Sequence, residues 1–510
     1  MVTPPEVILG PPGTGKTTAL LRIVEEELGR GVAPDRIGYV TFTRRAAEEA
    51  VARACAKFQL TPKQLPHFRT LHSMCFRQLG LSSSDVLEGP RMREFARHAD
   101  LRMTGRWSED GSLTGFELGD RLLFMENLAR IRGVPLRQLY DEWDDNLPWR
   151  ELERAQRALA EWKVAKGLLD YTDMLSEFVR LGIRIGLEVL AVDEAQDLSH
   201  LQWGVVGCLM EGCRRVVIAG DDDQAIYRWA GADVDHLIDL EGSVSVLDQS
   251  YRVPEVVQTL AGQVIEHVSH RRLKAWSPRP VRGELGRAGD LSDVDLSQDW
   301  AGEGEVQPIL VMARNTYILR DQVEPDLRRA GIIYEMNGHP SIRPALLEDI
   351  TNWEHLRQGR EVLVTDARRI YVHMTSGKGV ARGHKTLPGF TDDESVSIEV
   401  LEKAGGLLTR AIWHEALDRL PQDDVAYIVA ARQRGERLRA RPRVRLSTIH
   451  GSKGGEATHV VLFREMARRT YREMELSPED EARVWYVGVT RTRERLTLVD
   501  STTRQECPWL

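Results

Sequence analysis

Residues 10–17 read GPPGTGKT, a G-x-x-x-x-G-K-[ST] spacing set between an apolar run and an amphipathic stretch. Gly10, Gly13 and Gly15 permit turns that aim backbone N–H groups at phosphate oxygens, and a following helix adds its positive N-terminal end. Lys16 would reach the outer phosphates of a nucleoside triphosphate and Thr17 would ligate Mg2+, with Pro11, Pro12, Thr14 and Thr18 completing the cradle. A glycine turn that binds nothing is the alternative, and the strand–loop–helix context speaks against it. Further on, LEVLAVDEAQD (187–197) carries an apolar run into Asp193 and Glu194. One carboxylate at a strand end suits Mg2+ and a second suits a general base for water, which assigns Asp193 to the metal and Glu194 to the base. An isolated Asp-Glu after a strand is usually structural; beside a phosphate loop it becomes hydrolytic.

AGDDDQAIYRWAGAD (219–233) combines features that seldom share a turn. Three aspartates end an apolar run, Gln224 follows, and Tyr227 and Trp229 flank an arginine. If the run is a strand of the same sheet, Gln224 reaches the γ-phosphate or the attacking water. The aromatic pair could then face a nucleic-acid base, a stacking contact of about 1–3 kcal/mol that tolerates any sequence. Trp229 as an ordinary core residue is the other reading.

These groups need a parallel sheet to converge. EVILG (6–10), IGYVTF (37–42), LEVLAVD (187–193), RVVIAG (215–220), QPILVMAR (307–314) and THVVLF (458–463) are short and rich in Val, Ile and Leu. Each is followed by Gly, Asp, Thr or Arg, the pattern of strands buried on both faces with polar groups at their carboxyl ends. Helical stretches such as KTTALLRIVEEELGRG and RRAAEEAVARACAKF complete βαβ units. Residues 81–167 read as a helical insert with breaks at SSSD and GSLTG, and residues 341–440 as a second, mixed insert. TSGKGVARGHK (375–385) is glycine-rich and basic but lacks phosphate-loop spacing; it reads as a mobile surface loop or a duplex phosphate contact.

A chain of 510 residues exceeds one core. No run approaches the ~20 apolar residues of a membrane span, and the N-terminus lacks a signal-peptide pattern, so no membrane partner and a cytoplasmic location are expected. The five cysteines show no paired CxxC spacing and read as reduced thiols without zinc. A net charge of −8 speaks only weakly against nucleic acid, because binding depends on a local basic track.

The ordered set GPPGTGKT, YVTFTRRAA (39–47), FRTLHS (68–73), LLDYTDML (168–175), VDEAQD, GDDDQAIYRWAGA, LDQSYR (247–252), LSTIHGSKGGEA (446–457) and YVGVTRTRERL (486–496) resembles superfamily 1 DNA helicases of the UvrD/Rep/PcrA type across nearly the whole chain. The resemblance implies an α/β fold of two RecA-like motor domains in tandem, each with an insert, binding ATP and Mg2+ between them. It places motor 1 at 1–80 and 168–270, its insert at 81–167, motor 2 at 271–340 and 441–510, and a reduced insert at 341–440. It further implies that Tyr251 stacks on the base, Arg252 contacts the γ-phosphate, Glu456 holds the ribose, and Arg491 acts as a second arginine finger from the other motor. Phe42, His72, Tyr227, Trp229 and His450 would lie along single-stranded DNA, with Thr41, Thr43, Arg44, Thr70 and Thr448 at its phosphates. For His72 and His450 a hydrogen-bonded structural role stands beside the strand contact.

Several positions depart from the family pattern. No counterpart of the segment whose glutamine reads adenine precedes the first strand, which leaves the choice of ATP over other triphosphates open. Ala230 replaces an arginine, Ser250 an asparagine, and KGGEA stands for KGLEF. No strand-splitting aromatic hairpin follows residue 496. The expectation is a 3′-to-5′ translocase and helicase acting on single-stranded DNA and its junctions with duplex. The alternatives are a strand-stimulated ATPase that remodels nucleoprotein complexes, and a P-loop enzyme such as a kinase that does not bind nucleic acid.

Overall fold

The computed structural model describes residues 4–104, 117–143, 147–296 and 309–510. The expected break at GSLTG, residues 144–146, and the first two residues of QPILVMAR lie outside the described residues. The chain forms two compact units, Met1–Gly283 with Arg472–Arg491, and Glu284–Tyr471 with Thr492–Leu510.

In the first unit, strands β1 (Glu6–Leu9), β2 (Ile37–Thr41), β3 (Phe68–Thr70), β4 (Val189–Val192), β5 (Arg215–Gly220) and β6 (Ser243–Val246) form one sheet ordered β3-β2-β4-β5-β1-β6. Every pairing is parallel. The unbroken apolar runs of β1, β2, β4 and β5 serve both faces. Val7, Val40, Leu190 and Ile218 enter one core, and Ile8, Tyr39, Ala191 and Val217 enter the other. The edge strand β6 alternates Ser and Val and is exposed along its length, which is why its apolar signal is weak. Because all strands run the same way, the carboxyl ends of β1 to β5 deliver the phosphate loop, Thr41, Thr70, Asp193 and Asp221 to one edge.

Helices α1 (Lys16–Gly29), α2 (Arg44–Phe58) and α3 (Leu71–Gln78) follow β1, β2 and β3. The first insert is helical as expected, with α4 (Pro90–His98), α5 (Leu118–Arg132), α6 (Leu136–Glu142) and α7 (Trp149–Lys166) around their own core of Phe95, Leu122, Leu128 and Leu152. LLDYTDML joins the insert to the rest of the unit. Asp170 caps α8 (Tyr171–Leu181) through the Asp173 N–H and accepts from Arg130 of α5 and Lys163 of α7, both at 2.7 Å. Those cations hold the buried Asp170 carboxyl well below the usual carboxylate range, against the desolvation of burial.

Residues 472–491 group with the first unit, whereas the sequence reading places them in motor 2. The reason is apolar. The helix Pro478–Val489 buries every residue from Glu481 onward, including Trp485 and Tyr486, and packs on the helix Glu255–Ile265. Beside it, β7 (Gln249–Pro254) pairs in parallel with β8 (Ser277–Arg279).

The second unit has a seven-stranded sheet. Its order is β12 (His339–Pro340), β11 (Tyr334–Met336), β15 (Val444–Thr448), β10 (Ile309–Ala313), β16 (Ala457–Phe463), β17 (Thr492–Val499) and β9 (Glu284–Ala288), antiparallel only at β12. β13 (Val362–Leu363) and β14 (Ser395–Val396) form a small ribbon in the insert at 341–440. That insert has no core of its own. Trp353, Tyr371 and Trp413 join Val311, Val444 and Val461 of the sheet in one cluster. The loop TSGKGVARGHK is tied down: Val380 is buried, Lys378 Nζ lies 3.1 Å from Asp418, and the Thr375 N–H donates to the same carboxylate at 2.8 Å. Among the described residues no helix is long and apolar enough to cross a membrane, and all five cysteines are free thiols.

Candidate nucleotide site and polynucleotide groove

The phosphate loop is shaped by close approach as much as by freedom. Gly13 has φ +72°, and a Cβ there would stand 2.3 Å from Arg252 Cβ, so only glycine lets the loop and β7 meet. Two hydrogen bonds fix that meeting, from Tyr251 N–H to Gly13 O (2.9 Å) and from Ser250 Oγ to Pro12 O (2.7 Å). Ser250 Oγ also accepts from Val253 N–H at 3.1 Å, so the serine that departs from the family's asparagine still latches the loop. Arg252 thereby sits against the loop, and Tyr251 is 69% exposed, as a stacking surface must be. Thr14 Oγ1 closes the turn onto Pro11 O at 2.8 Å, and Lys16 Nζ donates to Gly10 O at 2.8 Å.

Thr17 and Asp193 meet, Oγ1 donating to Oδ2 at 2.8 Å, and Tyr39 OH donates to the same oxygen at 2.7 Å. Burial and the charge of Glu194 push the Asp193 carboxyl above the usual range, so the pocket holds negative charge that a cation would relieve. Two adjacent hard oxygen donors beside a phosphate cradle fit Mg2+, which binds few protein groups and completes its shell with water and phosphate. Glu194 follows with φ 55°; its N–H donates to Asp193 Oδ1 at 2.9 Å, and its carboxylate accepts from Gln196 Nε2. Gln196 Oε1 in turn accepts from the Asp221 N–H at 2.9 Å, joining the ends of β4 and β5.

Gln224 is buried and bridges two charged groups. Its Nε2 donates to Asp221 Oδ2 at 2.6 Å, and its Oε1 accepts from Arg491 Nη2 at 2.9 Å. The resemblance implies an arginine reaching from the other motor, yet Arg491 belongs to the stretch that groups with the first unit, and Val487 O anchors its Nε at 3.0 Å. The three aspartates form a tight carboxylate cluster, but its cation is internal. The Lys274 side chain is fully buried, with Nζ 2.6, 3.0 and 3.3 Å from Asp222, Asp223 and Asp221, and Arg271 donates to Asp223 at 2.7 Å. Sequence reading missed Lys274, Arg271, Tyr39 and Gln196. RRLK lies some distance along the chain with no spacing signal, and Tyr39 and Gln196 look like packing within apolar or acidic runs.

Beyond Gln224 the same turn borders a cavity of about 1130 Å³ whose walls include Phe42, Arg44, Thr70, His72, Tyr171 and Tyr227. Phe42 and Tyr227 stack with ring centres 5.6 Å apart, and His72 meets Tyr171 edge-on at 5.8 Å. Trp229 is 44% exposed and stacks at 6.2 Å on Phe124 of α5, so it is not a core residue. Thr43 and Thr70 accept from Ala46 N–H and Ser73 N–H, which makes them the N-caps of α2 and α3. Thr41 is buried, and its hydroxyl has no hydrogen-bond partner among the described residues. In the second unit, Thr448 Oγ1 accepts from Gly451 N–H at 3.0 Å at the start of the turn carrying His450, and Glu456 accepts from Arg493 at 2.7 Å. Neither Thr448 nor His450 lines the cavity of the first unit.

A parallel sheet whose first strand runs into a glycine-rich phosphate loop, with an acidic strand end beside its threonine, defines a P-loop α/β protein. Residues 2–245 match the UvrD/REP helicase N-terminal domain and residues 443–499 the UvrD-like helicase C-terminal domain. The chain belongs to the UvrD/REP helicase family. It is similar to the ATP-dependent DNA helicase PcrA of Bacillus subtilis (strain 168), 25% identical over 373 residues, covering 66% of this chain and 48% of that protein. It is also similar to PcrA of Staphylococcus epidermidis, 25% identical over 298 residues, covering 54% of this chain and 40% of that protein. The chain thus spans about half the length of the curated relatives it matches or less. A solved arterivirus nonstructural protein 10 helicase with DNA covers 98% of this chain and 62% of its own, at a TM-score of 0.32 and 10% identity, too distant to bear on the argument.

Proposed function

We propose that this protein is an ATP-driven motor that moves along single-stranded DNA and separates strands at junctions, in the 3′-to-5′ direction that the family resemblance implies. The observation that carries the reading is the turn Asp221–Trp229, in which Gln224 bonds Asp221 and Arg491 at one end and Tyr227 lines the cavity at the other. The loop N–H groups, Lys16 and the start of α1 hold the phosphates, and Thr17 and Asp193 hold Mg2+. When bound, the ion offsets charge on the phosphate oxygens. Glu194 takes the proton of the attacking water, Gln224 orients that water, and Arg252 and Arg491 stabilise the charge of the transferred phosphoryl group. Tyr251 and Glu456 serve the base and ribose. The exposed ring of Trp229, and the half-buried Tyr227 that lines the cavity with Phe42, His72 and Arg44, suit a strand held by stacking and phosphate contacts without sequence preference.

The test is ATP hydrolysis with and without single-stranded DNA, repeated with duplex DNA and with RNA. Strong stimulation by single-stranded DNA is expected, and displacement of a strand from 3′-tailed but not 5′-tailed duplexes fixes the direction. No stimulation by any polynucleotide would leave the phosphate chemistry standing and end the motor reading.

A further inference from the structure

Resting on that reading of Gln224, we propose that Lys274 is a positioning residue for ATP hydrolysis: it sets the Asp221 carboxylate, which in turn sets the orientation of the Gln224 amide. The geometry divides one carboxylate between the two residues. Lys274 Nζ faces Asp221 Oδ1 at 3.3 Å, and Gln224 Nε2 donates to Asp221 Oδ2 at 2.6 Å. With its NH2 group committed to Asp221, the amide must turn Oε1 toward Arg491, which donates to it at 2.9 Å. Flipping the amide would point an NH2 group at a guanidinium and leave two donors face to face.

The arrangement also requires the Asp221 carboxylate to be held in place within a crowded cluster. Three carboxylates crowd within 4.8 Å of one another, all buried. Like charges at that range repel one another, and without a cation among them nothing would hold the Asp221 carboxylate where it fixes the Gln224 amide. Lys274 removes that conflict from inside the cluster, with its side chain fully buried and Nζ also bonded to Asp222 at 2.6 Å and to Arg272 O at 3.1 Å. Arg271 takes Asp223 in two bonds from outside. The ammonium stands among the carboxylates where a divalent ion would otherwise sit, so the cluster is a support bridged by an internal cation and not a second metal site.

The experiment compares single-stranded-DNA-stimulated ATP hydrolysis of the full chain as wild type, K274M, Q224A and K274M/Q224A, with binding of a fluorescent ATP analogue and a thermal melt on each. K274M is expected to bind the analogue within about threefold of wild type while kcat falls about 100-fold, the scale of losing one oriented group at a reacting phosphate. A residue acting through Gln224 adds nothing once Gln224 is gone, so K274M in the Q224A background should cost less than about threefold more. D222N, which leaves the Lys274–Asp221 contact in place, should keep kcat within about threefold. If K274M melts below the assay temperature, the charge-balanced K274M/D222N replaces it. Unchanged kcat in the folded variant, full additivity with Q224A, or unfolding of both substitutes would each overturn the proposal. A wild type that hydrolyses no ATP would instead sink the motor reading itself.

Discussion

Arg491 and Gln224 form one hydrogen-bonded unit, Nη2 to Oε1 at 2.9 Å, with both side chains buried and the guanidinium anchored a second time on Val487 O. The cation and the neutral amide are therefore positioned by each other, and if both serve the phosphate as proposed their losses should overlap. Arg491→Ala and Gln224→Ala are each expected to lower kcat for stimulated ATP hydrolysis about 10²–10³-fold with little change in KM. The double variant should fall well short of the product of the two. Independent, multiplying losses would show that the contact has no part in the reaction.

The second prediction concerns Tyr39, whose phenol donates to the oxygen of Asp193 that also accepts from Thr17. Burial and the neighbouring carboxylate push the phenol well above its ordinary pKa, so it remains a donor at every working pH. A group that orients a metal-ligating carboxylate commonly contributes 10–100-fold in metal affinity or activity. Tyr39→Phe should raise the Mg2+ concentration for half-maximal hydrolysis about 10-fold, and the melting temperature should stay close to wild type. A pure stability loss with the same Mg2+ dependence would make Tyr39 a packing residue only.

The third prediction separates the groove from the nucleotide site. Trp229→Ala should weaken single-stranded DNA binding by about 1–3 kcal/mol and leave ATP-analogue binding unchanged. Trp229 also stacks on Phe124, so Phe124→Leu is the control for insert packing. Equal loss of affinity in both variants would assign the effect to the insert and not to a base contact.

The chemistry at the sheet edge was the part most legible in the sequence. The phosphate loop, Asp193 and the strand run 215–220 each carry an unbroken apolar approach and a sharp polar stop, and each strand ends where its pattern says. β6, with alternating Ser and Val, and β3, only three residues long, lack that signature. The two inserts differ in the same physical way. α4 to α7 enclose a separate core, so their helical period is readable in isolation, whereas Trp353, Tyr371 and Trp413 face the core of another sheet and carry no local boundary. The internal cation of the aspartate cluster was illegible. Nothing in RRLK marks a lysine for complete burial; only the fold brings it back to carboxylates that precede it by about fifty residues.

The last prediction is a pH dependence seated in the second unit. His459 is buried in β16, with Nε2 2.9 Å from Thr497 Oγ1 of β17, and burial, then the charge of Arg495, lower its pKa from 6.5 to about 4. The unfolded chain accepts a proton there near pH 6.5, and the folded chain resists until about pH 4. Between those values the unfolded state binds more protons, so stability rises with pH. The contribution is complete above about pH 6.5 and drains away as pH falls toward 4, on the order of 3 kcal/mol in all. His459→Asn cannot titrate in this range, so its melting temperature should fall less than that of wild type between pH 7 and 4.5. An equal fall in both proteins would show that some other group carries the acid sensitivity of this unit.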